Sequence, residues 1–135
     1  MPPRITPDSN ILISALVFGG NPLLLLEMAL SGEVSLFISD EILQETLRVL
    51  RDKFDLSEER LARAEGYIDS CTTRVKPSAE IDAIKEDPDD NRVLECAEEA
   101  GCEFIITGDL DLLRLGKYGG IQIMTVRALL EQRAK

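Results

Sequence analysis

Apolar residues recur along this chain in two rhythms, and the switches between them predict the order of the elements. Residues 4–8 read as a short first strand that survives Pro7, and residues 10–18 as an apolar helix ended by the breaker cluster Gly19-Gly20-Asn21-Pro22. Pro22 stands where a second helix, residues 23–30, opens, and Ser31-Gly32 stops it. Residues 34–38 form the next strand and lead into Ser39-Asp40, a helix cap. Beyond it Leu43, Leu47, Leu50 and Phe54 return at helical spacing, one buried stripe. Ser57-Glu58-Glu59 caps a helix running to about Ser70, and residues 72–75 make a short edge strand that Pro77 ends. Asp87-Pro88 opens a further helix whose inner face is Val93, Leu94, Cys96 and Ala97, closed by Ala100-Gly101. Residues 103–106 are a buried strand stopped by Thr107-Gly108-Asp109; residues 121–124 are the last strand and 126–134 the last helix.

Short strands alternating with helices imply an α/β fold with a parallel sheet covered on both faces. At 135 residues, 44% hydrophobic and 30% charged, the chain reads as one domain spanning residues 1–135, without repeat, linker or low-complexity tract. The longest apolar stretches, residues 11–20 and 22–26, fall short of the roughly 20 residues that cross a bilayer. The start lacks the pattern of a secretory leader, so a cytoplasmic protein is expected. Cys71, Cys96 and Cys102, an odd set without C-x-x-C spacing, are expected as reduced, buried thiols.

Histidine is absent, which removes every imidazole base, Ser-His-Asp arrangement and His-ligated zinc site. Any hydrolytic chemistry must run on carboxylates. The net charge of -10 argues against broad adhesion to nucleic acid, yet the excess is local. Residues 79–111 hold twelve acids against Lys85 and Arg92, while the rest of the chain balances. Glu95, Glu98 and Glu99 are read as a solvated helix face. Asp87, Asp89, Asp90, Asp109 and Asp111 sit at element boundaries, where like charges repel unless a cation compensates them.

Ligands of open α/β sheets bind beyond the carboxyl ends of the strands. Asp8 ends the first strand, and Asp109 ends the strand at residues 103–106. Asp90 lies in the first turn of the helix leading to that later strand, and Glu45 near the start of the helix after the second strand. Singly, each has a plain structural use as a cap, a turn or a solvated residue. Four acids aimed at one rim would repel one another without a divalent cation, and hard cations prefer oxygen ligands. Mg2+ or Mn2+ is the cofactor this implies.

Asp8-Ser9-Asn10 followed by ILISAL, Glu45 within SDEILQETLRVL, DPDDNRVLECA and FIITGDLDLL together resemble the four acidic blocks of PIN-domain ribonucleases, over nearly the whole chain. The branch most similar is the PIN toxins of toxin-antitoxin systems. The resemblance implies a three-layer α/β/α sandwich with a short, mainly parallel central sheet, a Mg2+ or Mn2+ site, and endonucleolytic hydrolysis of RNA phosphodiester bonds. It makes Asp8, Glu45, Asp90 and Asp109 the catalytic and metal-binding acids, Asp111 an auxiliary ligand, and Asn10 and Thr107 supporting polar groups. Within DPDD, Asp87 and Asp89 remain alternatives to Asp90.

Metal-assisted hydrolysis needs no imidazole, so it suits this inventory. Arg48, Arg51 and Lys53, following Glu45, are candidates for RNA phosphates, though surface charge is their plainer reading. Few aromatic residues leave little scope for base stacking. An EF-hand reading of residues 87–98 fails because Arg92 stands where the loop needs glycine, and no G-x-G-x-x-G follows the first strand. The alternative from another class is a PIN-like fold serving as an RNA- or protein-binding module with weak or lost catalysis. The toxin resemblance also implies a small antitoxin partner, docking by an apolar segment near residues 23–30 with a cation at the acidic rim, and a homodimer.

Overall fold

The computed structural model describes residues 1–134. Strands covered on both faces are continuous apolar runs, and Ile5, Leu36, Phe37, Ile38, Ile105 and Ile106 are all buried. They belong to β1 (Arg4–Pro7), β2 (Ser35–Ile38) and β4 (Phe104–Ile106), which join β3 (Thr72–Arg74), β5 (Lys117–Tyr118) and β6 (Ile121–Met124) in one sheet of order β3-β2-β1-β4-β6-β5. Every neighbouring pair is parallel except β5 with β6. Four helices lie on the way from β1 to β3: α1 (Ser9–Val17), α2 (Gly20–Leu30), α3 (Asp40–Asp52) and α4 (Glu58–Cys71). The chain then reverses direction through α5 (Asp90–Glu99) to reach β4 beside β1, and right-handed crossovers put α5 on the opposite face. With α6 (Leu110–Leu115) and α7 (Val126–Arg133) this completes the three-layer α/β/α sandwich.

That reversal makes the junction of β1 and β4 the switch point of the sheet, and both strands end there in register, Pro7 opposite Ile106. Pro7 has no N–H to give, but the Asp8 N–H continues the pairing to Ile106 O at 3.1 Å.

Several elements differ from the sequence reading. α2 starts at Gly20 rather than after Pro22, because Gly19 and Gly20 adopt φ of 76° and 63° and turn the chain directly out of α1. Pro22 then lies in the first turn, where a missing N–H costs nothing. α5 starts at Asp90; Asp87-Pro88-Asp89 forms a preceding turn closed by the Asp90 N–H on Asp87 O at 3.0 Å. α6 and β5 leave no signal in the sequence pattern, being too short to display a period. Phe54 lies past the end of α3 and packs with a second apolar cluster around Ile13, Leu50 and Ala64. Glu95 is not a solvated residue: it is 8% exposed, accepts the Ile81 N–H at 2.9 Å and pairs with Arg92 at 2.9 Å.

The three cysteines are free and buried, as expected. Thr6 Oγ1 touches the sulfurs of both Cys96 and Cys102, and burial pushes the Cys96 thiol up to about 12. No single helix among the described residues is long and apolar enough to cross a membrane.

Candidate functional site

Three of the acids meet at the switch point because each caps or opens a helix there. Asp8 is the N-cap of α1, its Oδ1 accepting the Ile11 N–H at 2.9 Å, and Asp109 is the N-cap of α6, its Oδ1 accepting the N–H groups of Asp111 and Leu112 at 2.9 and 3.1 Å. Thr107, fully buried, joins them. Its hydroxyl donates to Asp8 Oδ2 and accepts the Asp109 N–H at 2.9 Å.

Asp90, the first residue of α5, is 9% exposed. The carboxylates of Asp87, Asp90 and Asp109 each offer an oxygen within 4.8 Å of the others. Asp90 Oδ2 is buried with no donor in reach among the described residues. A buried acceptor facing other acids is costly unless a proton or a cation occupies the space.

The electrostatics agree. Burial pushes the Asp90 carboxyl up to about 8, reinforced by its contact with Asp109 and by the charges of Asp109, Asp87 and Asp8. Burial likewise pushes Asp8 up to about 6, the hydrogen bonds from Thr107 and Ile11 opposing it and the charges of Asp109 and Glu45 adding to it. Asp8, Asp87, Asp90 and Asp109 have no ion-pair partner among the described residues.

Glu45 on α3 approaches through Ser9, whose hydroxyl donates to Glu45 Oε2 at 2.9 Å. Arg48 stands 4.0 Å from its other oxygen. Both Asp8 and Glu45 lie outside the triad of mutually close carboxylates. The tightest grouping is therefore Asp87, Asp90 and Asp109, whereas the sequence reading centres on Asp8, Glu45, Asp90 and Asp109. Asp111 turns to Arg114 at 2.9 Å, and Asn10 is exposed on α1, apart from the hydrogen bonds that join the acids. Asp89 is exposed.

Beside Glu45 a groove of about 470 Å³ runs between α3 and α5, lined by Glu45, Arg48, Arg51, Asp89 and Arg92 among others. Arg48 and Arg51, two of the three residues expected to contact phosphate, line it. Lys53, the C-cap of α3, sits instead 5.8 Å over the Phe54 ring, and Arg92 takes the third basic place in the groove.

Sequence reasoning misses Ser9 and Arg92 and ranks Asp87 only as an alternative. Adjacency to Asp8 is the one signal for Ser9, and the DPDD run offers Asp87 without a reason to prefer it.

The donors are all oxygens, they converge without a compensating base, and one of them is an orphaned buried acceptor, so the residues fit a hard divalent cation. A family model described as PIN domain matches residues 4–111. The crystal structure of PAE2754 from Pyrobaculum aerophilum is similar at a TM-score of 0.58 and 16% sequence identity, covering 99% of this chain and 98% of that one, a likeness of fold. Among curated proteins none matches the sequence.

Proposed function

The chain belongs to the PIN-domain family, whose members are generally nucleases, and from that premise we propose that it is a Mg2+- or Mn2+-dependent endoribonuclease hydrolysing RNA phosphodiester bonds. The observation that carries this reading is Asp90, whose Oδ2 is buried without a donor among the described residues and whose carboxylate lies close to those of Asp87 and Asp109. Asp87, Asp90 and Asp109 would hold the ion, with Asp8 and Glu45 contributing charge from the α1 and α3 side. Bound, Mg2+ or Mn2+ supplies Lewis acidity and neutralises charge on the phosphoryl oxygens.

The chain's own residues do the rest. Thr107 and the first turn of α6 fix Asp109, one oxygen held by N–H donors, in a carboxylate group close to Asp87 and Asp90. Ser9, next to Asp8, holds Glu45 by its hydroxyl. Arg48 and Arg51 stand in the groove to position RNA phosphates, with Arg92 as the third cation there.

We extend the proposal to the toxin role, with a small antitoxin and a homodimer as partners, on the resemblance of the four acidic blocks. Exposed Leu24 and Leu30, at 41% and 50%, support apolar docking on α2. A small protein co-purifying from the native host supports this role, and its absence counts against it.

Cleavage of a fluorophore-quencher RNA in Mn2+, compared between the parent and Asp109→Asn purified side by side, tests the activity. Equal rates would assign the cleavage to a contaminating nuclease and favour the binding-module reading.

A further inference from the structure

Between β3 and α5 the chain runs from Val75 to Asp89 without a regular element, a length of loop that in small domains usually has a use. At Ser78, Ile81, Ala83 and Ile84 its backbone hydrogen bonds go to side chains of one helix. Asn91 Oδ1 accepts the N–H groups of Ala83 and Ile84 at 3.0 and 2.9 Å, and Asn91 Nδ2 donates to Ile84 O at 2.8 Å. Glu95 accepts the Ile81 N–H at 2.9 Å, and Glu99 accepts the Ser78 N–H and hydroxyl at 3.0 and 2.9 Å. Residues 91, 95 and 99 follow one another at four-residue intervals, one face of α5 about 12 Å long.

Ile81 and Ile84 anchor the strap from beneath, 8% and 4% exposed. The strap then ends at Asp87, whose carboxylate meets those of Asp90 and Asp109. Asn91 is 1% exposed, and the residue beside it, Asp90, bears the orphaned oxygen. A buried amide that satisfies three backbone groups of a loop, one residue from a buried acid that lacks a donor, links the loop's position to the site.

We propose that residues 78–87 form a clasp, buttoned to α5 by Asn91, Glu95 and Glu99, which sets Asp87 against Asp90 and Asp109, and that clasp closure and cation binding are coupled. Asn91 is on this account a positioning residue: it acts on the cation through Asp87. The inference rests on the metal site of the preceding section. Coupling is reciprocal, so a cation that gains from a closed clasp must also tighten it.

Hydrogen exchange read by mass spectrometry on the full chain, with chelator and with Mn2+, tests both directions. In the parent Mn2+ slows exchange across peptides covering residues 78–87 by about tenfold more than it slows β2, a coupling of ordinary allosteric size. In Asp87→Asn that protection is lost. In Asn91→Ala, Mn2+ affinity drops about tenfold, the usual effect of removing a partner that orients a ligand. Should that variant not fold, Glu99→Ala, at the exposed far end of the strap, shows the same change in smaller degree. Mn2+ that raises the melting temperature of the parent without slowing residues 78–87 overturns the clasp alone. Mn2+ that does neither overturns the metal site and the clasp together.

Discussion

Thr107 donates its buried hydroxyl to Asp8 Oδ2 across the junction of β1 and β4. The same hydroxyl oxygen accepts the Asp109 N–H, so one side chain registers two acids from distant parts of the sequence. Thr107→Val keeps the shape and removes both bonds. It should destabilise the protein by about 1–3 kcal/mol, the cost of leaving buried polar groups unpaired. Mn2+ affinity should fall with it, by about tenfold. Thr107→Ser restores most of both; thermal melts with and without Mn2+ read the two effects.

The raised carboxyls of Asp8 and Asp90 fix the sign of a pH dependence. Both are ordinarily near 3.8, and in the folded chain they stand at about 6 and about 8. Between pH 4 and 8 the folded state therefore holds more protons than the unfolded state, and stability falls as pH rises through that window. With chelator present, the melting temperature should be higher at pH 5 than at pH 8. Millimolar Mn2+ should flatten or reverse that slope, because the cation replaces the protons.

Asp90→Asn removes a buried ionisable group from among other acids. In chelator this variant should melt above the parent at pH 8, and by a smaller margin at pH 5, where the parent's Asp90 already holds its proton. In Mn2+ it should show little of the parent's gain, since binding to the folded state is what raises the melting temperature. A variant that is less stable in chelator yet gains fully from Mn2+ would place Asp90 outside the site.

Arg48→Ala combined with Arg51→Ala should weaken RNA binding and make its salt dependence shallower, by about one unit of slope for each phosphate no longer engaged. Lys53→Ala should change little, since Lys53 lies over Phe54 and outside the groove. Fluorescence anisotropy at several salt concentrations, in chelator, measures both.

The sheet and the acids at its rim are legible because short strands, caps and breakers are local signals. Asp8 and Asp109 each follow an aliphatic strand and each begin a helix, and that pattern survives in the sequence alone. Thr107 comes by resemblance, and the structure gives it a mechanical reason. Asp87 is not legible as a member of the closest triad, because its place depends on a strap with no periodicity, fixed by side chains of α5. Glu95 is misread for the same reason: helical spacing identifies apolar faces, whereas Glu95 is buried by accepting the Ile81 N–H. Lys53, expected on the helix of Glu45 or at its end, caps α3 and lies over Phe54 outside the groove, a turn of the side chain that the sequence carries no signal for.

Anomalous diffraction from crystals soaked in Mn2+ locates the cation outright. A peak bounded by the carboxylates of Asp87, Asp90 and Asp109, lost in Asp90→Asn, is the predicted result. An empty site at saturating Mn2+, or a lysine or arginine side chain lodged among those carboxylates, would contradict it.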